Sequence, residues 1–184
     1  AMDVDWDPLG LEDEVAGYLG VKYGVAVQSG TQALQLVDDY FEKKAWGPAP
    51  DWVTHWDGQI ERTKRNCVED AAQAFGSVLH GRKAGTYGLA GCFSLHPLKT
   101  FSVMGGGGLV ATNRARLAAH VRANRGHGLD ALQCAVARVK LPHLDTFLKR
   151  KQEIARRYTA ELPERFNRPD YDYPSNYPVP NDGL

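Results

Sequence analysis

Residues 18–36 read YLGVKYGVAVQSGTQALQL, and their reading decides the fold. Val25 to Val27 form a short apolar run, which predicts a buried strand. Gln28-Ser29-Gly30 then supplies a turn. From Thr31 to Lys44 the apolar residues Leu34, Val37 and Phe41 recur at spacings of three and four, which predicts a helix with one face inward. A strand, a tight turn and a helix make a first βα unit, the building block of an α/β chain.

The neighbouring segments extend the pattern. Residues 9–19, LGLEDEVAGYL, place Leu11, Val15 and Leu19 on one face of a short amphipathic helix. Residues 45–60, AWGPAPDWVTHWDGQI, hold no period of 2 or 3.6 and are read as a loop. A short buried strand is expected to end at Glu69-Asp70, followed by a turn of small residues. Strands are expected through Cys92-Phe93 and through GGLVAT, the latter stopped by Asn113. A helix follows, ended by Gly126 and Gly128. Residues 130–162 predict two helices meeting at Pro142, or one kinked there. The tail from Pro163, rich in proline and tyrosine, reads as extended or irregular.

Bulk composition narrows the partners. The 184 residues are enough for one domain with a sizeable core, and 43% hydrophobic with 24% charged residues is ordinary for a soluble globular chain. Twenty-two basic side chains balance 22 acidic ones, so net charge gives no reason to expect nucleic acid or an anionic membrane. No apolar run approaches the length of a membrane helix. The acidic N-terminus shows no signal-peptide pattern. Three cysteines, Cys67, Cys92 and Cys134, form no metal-binding spacing, so no metal is expected; the sparse, odd count fits a reducing cytoplasm.

Three positions could carry chemistry. Ser29-Gly30-Thr31 opens a helix after a strand, where unpaired N–H groups and the helix dipole attract an anion; the plainer reading is N-capping. Asp70 ends a buried strand, at the edge where open α/β sheets bind ligands, and its carboxylate could pair with a cationic ring nitrogen; it could equally cap a following helix. Lys99 lies in CFSLHPLKTFSVMGGGG, residues 92–108, between a strand and a run of four glycines. An amine there can act as a nucleophile once partly desolvated; a solvated surface lysine is the plainer alternative. Phosphate cradle, acid and amine together are the set that pyridoxal 5'-phosphate (PLP) requires.

Residues 68–113, VEDAAQAFGSVLHGRKAGTYGLAGCFSLHPLKTFSVMGGGGLVATN, resemble the signature region of the DegT/DnrJ/EryC1/StrS family of PLP-dependent aminotransferases. Residues 18–36 resemble its N-terminal segment, and residues 129–162 the segment joining its large and small domains. The resemblance implies a fold-type I large domain at 1–145, an α/β sandwich around a mainly parallel sheet, with a remnant of the small domain at 146–184. It implies a homodimer that moves an amino group from an amino acid, such as glutamate or glutamine, to a keto-sugar, nucleotide-linked, or to a keto-cyclitol. It also implies the roles. Lys99 would be the Schiff-base lysine, Asp70 would pair with the pyridinium nitrogen, and Gln73 would lie against the ring near its phenolic oxygen. Gly30, Thr31 and Ser94 would hold the phosphate, and His96 would stand near the cofactor.

The chain departs from that family in three places. Too few residues separate Thr31 from Asp70, a block is missing between Gly128 and Leu129, and most of the small domain is absent. Two other readings follow: a non-catalytic binding or regulatory protein on the same scaffold, or a PLP-dependent deoxysugar dehydratase. Relatives of the dehydratase kind usually carry histidine in place of the lysine, and Lys99 is present here. Removing interior strands from a parallel sheet would also expose unpaired backbone groups, at a large energetic cost.

Overall fold

A computed structural model describes residues 10–44, 51–54 and 67–162. Helix α1 (Leu11–Leu19) buries Leu11, Val15 and Leu19, and Gly20 closes it in the left-handed conformation at φ 78°. Strand β1 (Tyr23–Val27) and helix α2 (Gly30–Lys44) form the expected βα unit. The inward face of α2 is wider than the periodicity alone implies. Ala33, Val37 and Tyr40 are fully buried, and Leu34 and Phe41 pack half-buried beside them.

A five-stranded sheet follows. Its strands are β1, β2 (Asp51–Thr54), β3 (Cys67–Asp70), β6 (Ala90–Ser94) and β7 (Gly108–Thr112), in the order β1-β7-β6-β3-β2. β7 is antiparallel to both of its neighbours, β1 and β6, while β2, β3 and β6 are mutually parallel. Four of the five strands therefore run one way and β7 runs against them. The sheet is mainly parallel in direction, with one reversed strand in its interior.

The strand β2 corrects the reading of residues 45–60 as a loop. Asp51 to Thr54 pair in register with Cys67 to Asp70. Four residues are too few to show a period, so the pairing with β3, not the local pattern, specifies this strand. The remainder of 45–60 and the tail from Pro163 lie outside the described residues. A second feature escaped the sequence reading: a hairpin of β4 (Val78–Leu79) and β5 (Arg82–Lys83). Its two turn residues, His80 and Gly81, both have positive φ (45° and 75°), as a twist-matched hairpin turn requires.

The sheet is covered on both faces. Phe93 and Leu109 point to one face, where they pack with Leu11, Val15, Phe75 and Phe101 and with residues of α4 (Ala131–Lys140). Cys92 and Val110 point to the other, against α2 and α3 (Ala115–Asn124). This is the strict alternation of a strand buried on both sides. Complete burial of a side chain such as Phe93 contributes about 1.5–3 kcal/mol. Asp130 caps α4 in a reciprocal capping box with Gln133. A 3₁₀ turn at Leu141–His143, with Pro142 in it, then leads into α5 (Leu144–Glu161). The two helices thus meet at Pro142 as two elements. The expected boundary after residue 145 falls in the first turn of α5, whose only buried side chain is Leu144. No helix among the described residues is long and apolar enough to cross a membrane.

Candidate functional site

Because β1, β3 and β6 run the same way, their C-terminal ends share one edge of the sheet with the start of β7. The sequence-predicted residues fall at this edge, on the three segments that follow β1, β3 and β6.

The β1–α2 turn is held from inside. The Ser29 hydroxyl accepts the Gln32 N–H at 3.0 Å, so Ser29 caps the helix as its plainer reading foresaw. Gln32 Oε1 accepts the Gln28 N–H at 2.7 Å, and Gln32 Nε2 donates to the Arg125 carbonyl at 3.1 Å. These bonds leave the Gly30 and Thr31 N–H groups without an acceptor among the described residues. Thr31 is exposed. Gly30 lies directly on the end of β6: a Cβ at this position would stand 2.9 Å from Ser94 Cβ.

Asp70 is half-buried at the end of β3, in register with Cys92 on β6. One carboxylate oxygen accepts the Ala72 N–H at 3.1 Å, an Asx-type turn, and the other has no partner among the described residues. Turns follow Asp70 where a capped helix was the alternative. Burial pushes the Cys92 thiol well up from its ordinary value, with the carboxylates of Asp70 and then Glu69 adding to it. Gln73 is exposed in the turn closed by the Ala74 N–H on the Ala71 carbonyl and touches none of the other candidates through a hydrogen bond.

Ser94 is half-buried, and its hydroxyl accepts the His96 N–H at 3.3 Å. His96 Nδ1 accepts the Leu98 N–H at 3.2 Å, which puts the proton of a neutral ring on Nε2. The His96 carbonyl accepts the Lys99 N–H at 2.8 Å, closing a tight turn. Lys99 is half-buried, and its Nζ has neither a hydrogen-bond nor an ion-pair partner among the described residues. It forms no ion pair with Asp70. By contrast, Lys140 Nζ donates to the carbonyl and hydroxyl of Ser102, and Lys83 Nζ sits 3.9 Å from the centre of the Tyr18 ring.

The glycine run serves close packing. A Cβ on Gly108 would fall 2.3 Å from the Ser29 carbonyl oxygen, and one on Gly107 would meet Leu129 and Val103 at 2.9 Å. The run lets the start of β7 lie flat against the β1–α2 turn, which brings the loop of Lys99 beside the helix N-terminus.

Two buried acids were not singled out from the sequence. Glu69, fully buried, accepts the N–H groups of Gly85, Tyr87 and Gly88 at 2.6–2.7 Å. Glu12, 2% exposed, accepts the Ala26 N–H at 2.9 Å and bonds to Arg122 and Arg125. Arg125 also donates to the Ala26 carbonyl and, through its own carbonyl, holds Gln32. An acid on an otherwise apolar helix face was the one signal for Glu12; Glu69 had none. A basic cleft lined by Arg82, Tyr87, Asn113 and Arg114 lies at the opposite edge of the sheet from Gly30, Ser94 and Lys99.

The chain is similar to known proteins. Over 110 residues the chain is 38% identical to the erythromycin biosynthesis sensory transduction protein EryC1 of Saccharopolyspora erythraea, covering 52% of this chain and 30% of that protein. It is 34% identical over 117 residues to a dTDP-3-amino-3,4,6-trideoxy-alpha-D-glucose transaminase of Streptomyces venezuelae, covering 55% of this chain and 31% of that one. Among solved structures, DesV of S. venezuelae superposes with a TM-score of 0.67 at 25% identity, over 85% of this chain and 62% of DesV. The matched stretch thus spans under a third of the curated relatives' own length. Residues 55–171, more than half of the chain, match the DegT/DnrJ/EryC1/StrS aminotransferase family. The chain belongs to that family.

Proposed function

We propose that this chain carries the cofactor site of a PLP-dependent aminotransferase. It would move an amino group from an amino acid, glutamate or glutamine, to a keto-sugar carried on a nucleotide. The observation that carries the reading is the convergence, at one sheet edge, of an amine, a carboxylate oxygen and a helix N-terminus that are all unpartnered among the described residues. That donor set fits PLP. The Gly30 and Thr31 N–H groups with the Ser94 hydroxyl suit a phosphate, the unpaired oxygen of Asp70 suits a protonated ring nitrogen, and Lys99 Nζ suits the aldehyde carbon. When bound, PLP supplies an electron sink for the bond to the substrate's α-hydrogen.

The chain's residues do the rest. Gly30 and Thr31 hold the phosphate with neutral donors at the positive end of α2. Asp70 would hold the protonated ring nitrogen. Lys99 Nζ would take up and release the proton of the substrate's α-carbon. Gln73, exposed in the turn after Asp70, is assigned to the ring's phenolic oxygen, and His96 Nε2 offers a second proton-bearing group near Lys99. In this reading the protein would work as a homodimer, in the cytoplasm.

A second reading rests on the short match to the relatives and on the regulatory names that some of them bear, such as a pleiotropic regulatory protein of Geobacillus stearothermophilus. There the scaffold binds without turnover. Borohydride reduction of the PLP-loaded protein, followed by peptide mapping, separates the two. A pyridoxyl group on Lys99, with visible absorbance that shifts on adding glutamate or glutamine, is the expected result. Label on Lys83 or Lys140 would overturn the assignment of the lysine, and PLP binding with no amino-acid response would favour the regulatory reading.

A further inference from the structure

The loop carrying Lys99 leaves the sheet after Ser94 and returns at Gly108. At its root the Leu95 N–H bonds to the Gly107 carbonyl at 2.8 Å and the Val103 N–H to the Leu95 carbonyl at 2.9 Å. Phe101 and Val103 anchor its middle in the core. The outward arm, Met104 to Gly106, has no such anchor: Met104 is exposed, and Gly105 and Gly106 have no side chains. This arm lies against α4. Gln133 Nε2 donates to the Met104 carbonyl at 3.1 Å and to the Gly106 carbonyl at 2.6 Å. Two helical turns further on, on the same face, Lys140 grips Ser102 of the same loop. On its other side the arm meets the β1–α2 turn, where a Cβ on Gly106 would stand 3.3 Å from the Gln28 carbonyl oxygen.

We propose that Gln133 is a positioning residue, which holds the Lys99 loop against the phosphate-binding turn and thereby sets how readily Lys99 reacts. Its amide performs two tasks with opposite ends. Oε1 accepts the Asp130 N–H to close the helix cap, and Nε2 clamps the loop. The proposal rests on the assignment of Lys99 to the cofactor.

The two tasks can be separated by mutation. Gln133→Glu keeps an acceptor for the cap, since glutamate is a natural capping-box partner, but replaces the two N–H donors with a carboxylate facing two carbonyls. Asp130→Ala removes the side-chain half of the cap and leaves the clamp. Amide hydrogen exchange at Leu95, Lys99 and Val103 of the cofactor-free protein reads the loop, and thermal melting reads the fold. In the PLP-loaded protein, the rate of borohydride trapping on Lys99 is set against PLP affinity. Gln133→Glu is expected to raise exchange at Leu95 and Val103 about tenfold and to slow trapping about tenfold, with PLP affinity and melting nearly unchanged. Asp130→Ala is expected to lower melting without loosening the loop more than the helix. Equal loosening by Asp130→Ala, or no change in exchange and trapping with Gln133→Glu, overturns the proposal. If the unmutated protein yields no adduct on Lys99, the cofactor assignment fails, and the exchange data alone still decide whether the clamp exists.

Discussion

Glu69 and Asp70 are adjacent in the chain and face opposite sides of the sheet. Strand alternation sends Glu69 toward the 85–88 loop, where three backbone N–H groups saturate its carboxylate. It sends Asp70 toward the face of Val68, with one oxygen unpaired among the described residues at the sheet edge. The sequence shows two acids; the pleat decides that the first is saturated by backbone N–H groups and the second is not.

The two should therefore respond differently to mutation. Hydrogen bonds to a buried charged group contribute about 1.5–3 kcal/mol each, so Glu69→Ala should cost more than about 3 kcal/mol in denaturant unfolding. Asp70→Asn should leave stability within about 1 kcal/mol and, where the proposed reaction operates, slow it on the order of 10²-fold or more. Comparable destabilisation by both would mean that Asp70 is also a structural acid.

Gly30 is constrained by contact and not by backbone conformation. An added methyl would press on the Cβ of Ser94 at 2.9 Å and on its backbone at 3.2 and 3.3 Å, atoms that β6 holds in place. Gly30→Ala should destabilise by about 1–3 kcal/mol and weaken PLP or inorganic phosphate binding by shifting the helix start. Unchanged phosphate affinity in a folded variant would remove Gly30 from the site.

Much of this architecture is legible in the sequence, and the failures have physical causes. The strand, turn and helix of residues 23–44 follow from an apolar run, a Ser-Gly turn and a helical period, all of them local signals. β2 escaped because four residues carry no period and its pairing partner lies sixteen positions on. The purpose of the glycine run was only half visible. Four glycines announce a close approach, but which backbone approaches which is a tertiary fact, here Gly108 upon Ser29. The same holds for Lys99. Its place before the glycine run and the family resemblance single it out in the sequence; the structure adds that the ammonium groups of Lys83 and Lys140 are already engaged.

Cys67, Cys92 and Cys134 are all free thiols at 1% exposure or less. Burial and the nearby carboxylates raise Cys92 well above the ordinary thiol range, so little thiolate is present to react. A maleimide reagent should label none of the three in the native protein and all three after unfolding in denaturant. Fast native labelling of Cys92 would show that the edge of β6 opens.

Tyr18 ties α1 to the start of α5 by donating its hydroxyl to Asp145 at 2.7 Å. Desolvation raises its pKa, and the hydrogen bond and charge of Asp145 raise it further. In the unfolded chain the same phenol ionises near its ordinary value of about 10. A group raised on folding contributes its stability below the unfolded value, and that contribution is lost as pH rises from there toward the folded value. Melting temperature should therefore fall more steeply above about pH 10 in the unmutated protein than in Tyr18→Phe. At neutral pH Tyr18→Phe should cost about 1 kcal/mol for the lost hydrogen bond, with the ring's stacking on Phe75 retained. Since Leu144 is the only fully buried residue of α5, the loss should show first as faster amide exchange in that helix. Parallel alkaline profiles for the two proteins would mean that Tyr18 ionises as easily folded as unfolded, and that its bond to Asp145 contributes nothing to the anchoring of α5.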